Sequence, residues 1–172
     1  IYVARVMKAK GIEQFFYAAH EIKKSYPEVE FHICGFCEED YKQILDDKVN
    51  NGEIIYHGLV SDVSAYEKNC HCIVLPSFHP EGISNVLLEG AASARPLITT
   101  DHAGCKETVE DTKTGFIVRQ RDSKDLVEKM IRFIKMPYEE KIRMGSLGRI
   151  KIENEFNREI VVEHYMQEIS LL

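Results

Sequence analysis

Residues Pro76 to Glu89 read P-S-F-H-P-E-G-I-S-N-V-L-L-E, and the fold can be worked outward from them. The run before them, Cys72-Ile73-Val74-Leu75, is short, apolar and rich in β-formers, so it is expected to be a buried strand. Pro76 has no backbone donor and cannot continue a ladder, which ends the strand there. Gly82 is expected to supply a close backbone approach or a positive φ. Ser84 then stands as an N-cap, with an apolar-periodic helix following it. Strand, turn and helix in this order form one unit of an α/β sheet.

The flanking sequence repeats that unit. Ile1–Ala4 reads as a first strand, and Ile12, Phe15, Phe16, Ala19 and Ile22 recur at helical spacing across Gly11 to Ser25. Strand Glu30–Cys34, helix Glu39–Val49 and strand Ile54–His57 follow, then a short helix capped by Asp62. Pro96–Thr99 and Phe116–Val118 are the last strands. Ser123 is expected to cap a helix, with two more helices from Tyr138 to Glu155 and Arg158 to Ser170. Strands separated by helices need right-handed crossovers. The expected fold is therefore α/β, a Rossmann-like parallel sheet flanked by helices. Its ligand belongs at the carboxyl ends of the strands, near Gly35, Gly58 and Ser77.

The residues around that edge suggest what the ligand is. With Ser84 as the cap, the amides of Asn85, Val86 and Leu87 lie in the first turn without intrahelical acceptors, at the positive end of the helix dipole. Such a terminus binds phosphate. Glu89 lies one turn further in, and helical side chains lean toward the N-terminus. An acceptor-only carboxylate suits a ribose diol. Glu81, seven residues before Glu89 in the intervening count, could accept from hydroxyls of a sugar beyond the phosphates. The pattern fits a nucleotide sugar. Gly82, Ile83 and Ser84 would line it, with Gly35, Phe36, Leu59 and Val60 toward the base.

The longer run P-E-G-I-S-N-V-L-L-E-G-A-A-S-A-R-P-L-I-T-T-D-H-A-G-C-K-E resembles the donor-site segment of glycosyltransferase family 4, retaining enzymes of the GT-B fold. Glu81 and Glu89 match that family's E-x7-E motif. V-A-R-V-M-K-A-K-G is similar to its first loop, where Arg5 and Lys10 match an Arg and a Lys that bind the donor diphosphate. E-D-T-K-T-G-F-I-V resembles the turn before its last short strand. Ala4 departs from the pattern, which more often has Gly before the Arg. The resemblance implies a C-terminal, nucleotide-sugar-binding half spanning residues 1–172. It implies catalytic roles for Arg5, Lys10 and Glu81, and donor contacts from Gly35, Leu59, Gly82, Ile83, Ser84, Asn85, Val86 and Glu89. The acceptor would bind an N-terminal domain absent from this chain, which opens at Ile1 within a predicted strand. The wording E-G-I-S-N-V-L-L-E-G-A-A-S-A-R-P-L-I-T-T-D looks most like enzymes of bacterial capsule, O-antigen and lipid-linked oligosaccharide assembly, which commonly use UDP-sugars. The final helix, in such enzymes, returns to brace the N-terminal domain.

Composition agrees with half of such an enzyme. The chain has 172 residues, 44% hydrophobic and 29% charged, ordinary for one α/β domain. A net charge of −6 argues against a nucleic-acid partner, which calls for a basic face. No apolar run reaches the ~20 residues of a membrane span, and no signal-peptide pattern opens the chain. The expected location is cytoplasmic, at the inner membrane face for the full-length protein. Five cysteines form an odd set, read as reduced thiols. Cys34-Gly35-Phe36-Cys37 has zinc-like spacing, but Cys34 and Cys72 belong to apolar strands and read as core. No Asp-x-Asp pair is present, so neither cofactor nor metal is expected.

Other nucleotide folds lack their signatures here. No G-x-G-x-x-G follows the first strand, and no P-loop or G-x-S-x-G elbow occurs. His79 beside Glu81 reads as a loop histidine lining the site. Two alternatives share the same residues. A GT-B sugar-nucleotide epimerase would release free sugar without an acceptor, and a noncatalytic nucleotide-sugar-binding module would bind donor without turnover.

Overall fold

The computed structural model describes residues 1–80 and 82–170, with only the backbone described at positions 161 and 164. Six strands alternate with helices: β1 Tyr2–Val3, α1 Ile12–Lys23, β2 His32–Cys34, α2 Lys42–Asn50, β3 Ile55–Tyr56 and α3 Val63–Glu67. β4 Ile73–Leu75, α4 Asn85–Ala92, β5 Leu97–Thr100 and β6 Gly115–Val118 follow, and α5 Ser123–Lys135, α6 Tyr138–Glu155 and α7 Arg158–Ser170 close the chain.

All strand pairs are parallel. One ladder runs β1-β2-β3, with Tyr2 opposite Ile33 and His32 opposite Ile55. The other runs β4-β5-β6, with Val74 opposite Ile98 and Ile98 opposite Phe116. They meet at Ile1, whose nitrogen donates to the Cys72 carbonyl at 2.8 Å and whose carbonyl accepts from the Val74 N–H at 2.8 Å. Those two bonds are the pattern of a parallel pair centred on Ile73. The spatial order is therefore 3-2-1-4-5-6, the doubly wound arrangement. Its strand order reverses between β1 and β4.

Same-handed crossovers that travel outward in opposite directions from that seam place α1 and α4 on opposite faces. The later helices complete each layer: α5 packs on α1, and α6 on α4. Strands covered on both sides must be apolar throughout, and Ile73, Val74, Leu75, Leu97 and Ile98 are all buried. Tyr2, Phe15 and Phe31 form an aromatic row under α1, with ring centroids 5.3 and 5.8 Å apart. Each such side chain contributes roughly 1.5–3 kcal/mol by leaving water.

Several element ends shift by one to three residues from expectation, and two of the shifts have a clear cause. Ser123 is the first helical residue of α5, and Asp122 is its cap, accepting from the Lys124 and Asp125 amides at 3.1 and 3.0 Å. Asp122 sits one position earlier, where a side-chain oxygen can reach two first-turn donors. Residues 39–41 form a 3-10 turn, so α2 proper starts only at Lys42.

Candidate functional site

Three loops leave the carboxyl ends of β1, β4 and β5 and are hydrogen-bonded to one another. The Ala9 carbonyl accepts from the Phe78 amide at 2.9 Å and from Ser77 Oγ at 3.4 Å. Gly11 lies against Pro76 with φ 78°. A Cβ there would stand 2.0 Å from the Pro76 carbonyl oxygen, so only glycine lets these loops close. Thr100 Oγ1 donates to the Ser77 carbonyl. The Ser84 amide donates to the Gly104 carbonyl at 2.9 Å, and the Gly104 amide to Glu107 Oε2 at 2.8 Å. The rim beside the β1–β4 seam is thus fixed by backbone bonds before any ligand arrives.

The basic residues stand on the first loop. Arg5 is exposed, with Nη1 3.6 Å from Glu38 Oε1, and its carbonyl accepts from Tyr2 OH at 2.9 Å. Lys10 ends the 3-10 turn Lys8–Lys10 and is half-buried. Burial holds its ammonium below the usual lysine range; the Cys105 thiol opposes that shift and the Arg5 charge adds to it. Arg5, Lys10 and the loop after β5 therefore share one locality. Ala4 has no positive φ, so the backbone before Arg5 does not demand glycine.

Ser84 occupies the N-cap position of α4 as expected, but its hydroxyl makes no capping bond. The residue is buried, and its amide is anchored on Gly104. Its carbonyl accepts from the Leu87 and Leu88 amides at 3.1 Å each, so Leu87 does not offer a free first-turn donor. Asn85 and Val86 are left, and no described residue accepts from their amides. Glu89 lies one turn further along α4 and is exposed. Gly82 and Ile83 are exposed on the approach. No described atom stands within 4 Å of the space a Gly82 Cβ would take. Glu81 lies outside the described residues.

On the other side of the seam, Gly35 couples three strand ends. A Cβ there would stand 1.9 Å from the Ala4 carbonyl oxygen. The Gly35 amide donates to Gly58 at 2.8 Å, and its carbonyl accepts from Tyr56 OH at 2.8 Å. Its polar atoms are engaged, so its part is to let β1, β2 and β3 close up. Phe36 and Leu59 stand 57% and 81% exposed at the same edge, apolar side chains offered to solvent beside a polar rim. Val60 is half-buried.

The loop after β5 falls within the run that resembles a donor-site segment, but sequence reasoning gave none of its residues a role. Cys105 near Lys10, and Gly104 bonded to Ser84, belong to no chemical motif, although D-H-A-G-C lay in plain view. It also missed Phe78, whose ring carries the Arg121 guanidinium at 4.5 Å, and Glu38 beside Arg5. His79 is half-buried, its amide donating to Ser77 Oγ at 3.2 Å. Burial pushes the Cys34 thiol up to about 11, and also raises Cys37, the opposite of a metal-ready or reactive pair. Among the described residues no three His, Cys, Asp or Glu side chains are grouped to hold a metal ion. A cavity of about 350 Å³ lies at the opposite end of the sheet, lined by Val29, Phe31, Cys72, Met130 and Phe133 among others. It is mostly apolar and far from the loops just described, and does not suit a diphosphate.

A parallel α/β sheet in this order, flanked by helices, defines a Rossmann-like domain. The chain belongs to the family described as glycosyl transferases group 1, whose profile matches residues 1–136. It is 32% identical over 167 residues to the capsular polysaccharide biosynthesis glycosyltransferase CapM of Staphylococcus aureus, covering 94% of this chain and 43% of that protein. It is 26% identical over 167 residues to the N,N'-diacetylbacillosaminyl-diphospho-undecaprenol alpha-1,3-N-acetylgalactosaminyltransferase of Campylobacter jejuni, covering 96% and 42%. The chain thus spans less than half the length of these curated relatives. Among solved structures, Anabaena HepE in complex with UDP superposes with a TM-score of 0.86 at 18% identity, over 99% of this chain and 49% of that one. TarM of S. aureus does so at 0.85 and 20% identity, over 96% and 34%. These likenesses establish the fold as that of GT-B glycosyltransferases.

Proposed function

We propose that this chain is the donor-binding half of a retaining glycosyltransferase, holding a nucleotide sugar across the β1–β4 seam. The carrying observation is the convergence there of Arg5, half-buried Lys10 and the α4 N-terminus on a rim already closed by backbone bonds. The diphosphate lies against the two cations and the Asn85 and Val86 amides. As the nucleoside diphosphate leaves the anomeric carbon, charge builds on its phosphate oxygens. Fixed donors that meet it lower the barrier without reorganising. Glu89 accepts from the ribose hydroxyls, and Leu59 with Phe36 offers an apolar wall to the base. Glu81 positions the transferred sugar. The chemistry needs no metal in this reading, since Arg5 and Lys10 supply the positive charge.

The acceptor is bound by a second half of the full-length protein, as the family resemblance implies. Helix α7 supports this: Val162, Tyr165, Met166 and Ile169 recur on one face and are all exposed, a stripe suited to packing on another domain. The relatives' names point to surface-polysaccharide assembly, one of them on a diphospho-undecaprenol-linked acceptor; in this reading the donor is a UDP-sugar and the acceptor a saccharide or lipid-linked saccharide. No described helix is long and apolar enough to cross a membrane. In the full-length protein a lipid-linked acceptor would be met at the membrane's inner face.

Calorimetric titration of the chain with UDP tests the reading. Charge-assisted hydrogen bonds contribute roughly 1.5–3 kcal/mol, so Arg5→Ala and Lys10→Ala should each weaken UDP about 10- to 100-fold. Unchanged affinity in both variants would place the diphosphate elsewhere.

A further inference from the structure

Glu67, the last residue of α3, is 2% exposed and is the only charged side chain among the buried polar residues described. Its Oε2 accepts from Ser93 Oγ at 3.0 Å, while Oε1 is buried without a described partner. Arg95 lies close enough for its charge to act on Glu67, but its described bonds go to backbone: Nε donates to the Ser93 carbonyl and Nη1 to the Cys70 carbonyl, both at 3.1 Å. Burying a carboxyl without an ion-pair partner disfavours its charged form. Burial raises the Glu67 carboxyl; the Ser93 bond opposes the rise, the nearby Glu89 adds to it, and Arg95 opposes it.

The position of this acid matters more than its charge. Helix α3 grows out of the loop 57–62, which carries Leu59. Ser93 lies one turn beyond Glu89 on the same face of α4, and its amide donates to the Glu89 carbonyl at 2.9 Å. Among the described residues, the Glu67–Ser93 bond is the side-chain hydrogen bond that spans from α3 to the end of α4. We propose that Glu67 is a positioning residue of the nucleotide site: by joining α3 to Ser93 it sets the spacing between Leu59 and Glu89, the two walls of the nucleoside cleft. This rests on the reading of the site given under Proposed function. A slack tie lets the walls drift apart, and the ligand's base and ribose suffer while its phosphates, held across the seam, do not.

The test is titration of the chain with two probes, UDP and inorganic pyrophosphate. One neutral hydrogen bond's worth of positioning corresponds to about a five- to tenfold loss. Glu67→Ala should weaken UDP by that amount and leave pyrophosphate within about twofold. Glu67→Gln, neutral and still able to accept from Ser93 Oγ, should restore UDP binding. Ser93→Ala, which keeps the acid and removes the donor, should reproduce the loss and carries the comparison if truncating the buried side chain unfolds the chain. A merely structural Glu67 would lower both probes together. Equal losses for the two probes, a Gln variant as weak as the Ala variant, or undiminished UDP affinity in Ser93→Ala overturns the proposal. UDP binding that Arg5→Ala weakens and neither Glu67→Ala nor Ser93→Ala affects sinks this inference alone. A parent chain that takes up neither probe sinks the site reading with it.

Discussion

Glu89 and Glu81 carry separable tasks in the proposed site, and single substitutions can tell them apart. Glu89 is exposed on α4, one turn from the Asn85 and Val86 amides. If it accepts from the ribose diol, Glu89→Ala should weaken UDP by about one to two orders of magnitude, in line with a hydrogen bond to a charged group. A dideoxy UDP analogue offers no such donors and should lose far less; calorimetry showing equal losses for both ligands would reject the assignment. Glu81→Ala should leave UDP affinity nearly intact, because its proposed partner is a hydroxyl of the transferred sugar. In the full-length enzyme the same change should depress kcat strongly, since positioning counts most in the transition state. Steady-state kinetics with kcat unmoved would remove Glu81 from the chemistry.

At the scale of the element, the ends of α5 show what a sequence reveals and what it withholds. Sequence reasoning named Ser123 as the cap, but the run D-S-K-D puts another good capping residue, Asp122, one position earlier. Only the backbone decides between them: Asp122 has extended φ and ψ and reaches two amides, while Ser123 is already helical. Asp122→Ala should therefore lower Tm, and Ser123→Ala should leave stability within about 0.5 kcal/mol. Hydrogen bonding to the Asp125 amide is the main cause that holds the Asp122 carboxyl below its ordinary range. A depressed folded value means its contribution is fully present above about pH 4 and is lost as acid protonates the carboxyl. Melting curves of parent and Asp122→Ala should converge on acidification; a constant gap down to low pH would refute the cap's charge. Strand β4 and helix α4 were legible because Pro76 and the apolar period mark their limits. The silence of the Ser84 hydroxyl was not legible. The Ser84 amide is tied to the Gly104 carbonyl on another loop, and no local rule shows which loop a buried residue will meet.

For the whole molecule, the proposed reading divides labour between this chain and a second half of the full-length protein. The described residues hold the cations, the helix terminus and the candidate ribose acceptor, and in the proposed reading the sugar acceptor binds the other half. Residues 1–172 alone should bind UDP yet show negligible sugar transfer to a saccharide or lipid-linked acceptor. Efficient transfer by the isolated chain in a radiolabel assay would overturn the division into two halves. The net charge of −6 is compatible with an anionic ligand because attraction is local: Arg5 and Lys10 stand near each other on the loop after β1, with Glu38 as the carboxylate beside Arg5.

The seam itself has one further consequence. Two three-stranded ladders meet through bonds at Ile1 and Val74, and the loops proposed to hold the ligand come from both sides of that junction. A nucleotide bound there acts as a clasp that shuts two leaves of a book along the spine. Its binding energy should accordingly appear far from the contact. At a UDP concentration of 100 Kd the folded state gains about 2.7 kcal/mol. Hydrogen-exchange measurements should show the Val74 amide, β2 and β5 slowing together, with α7 unaffected.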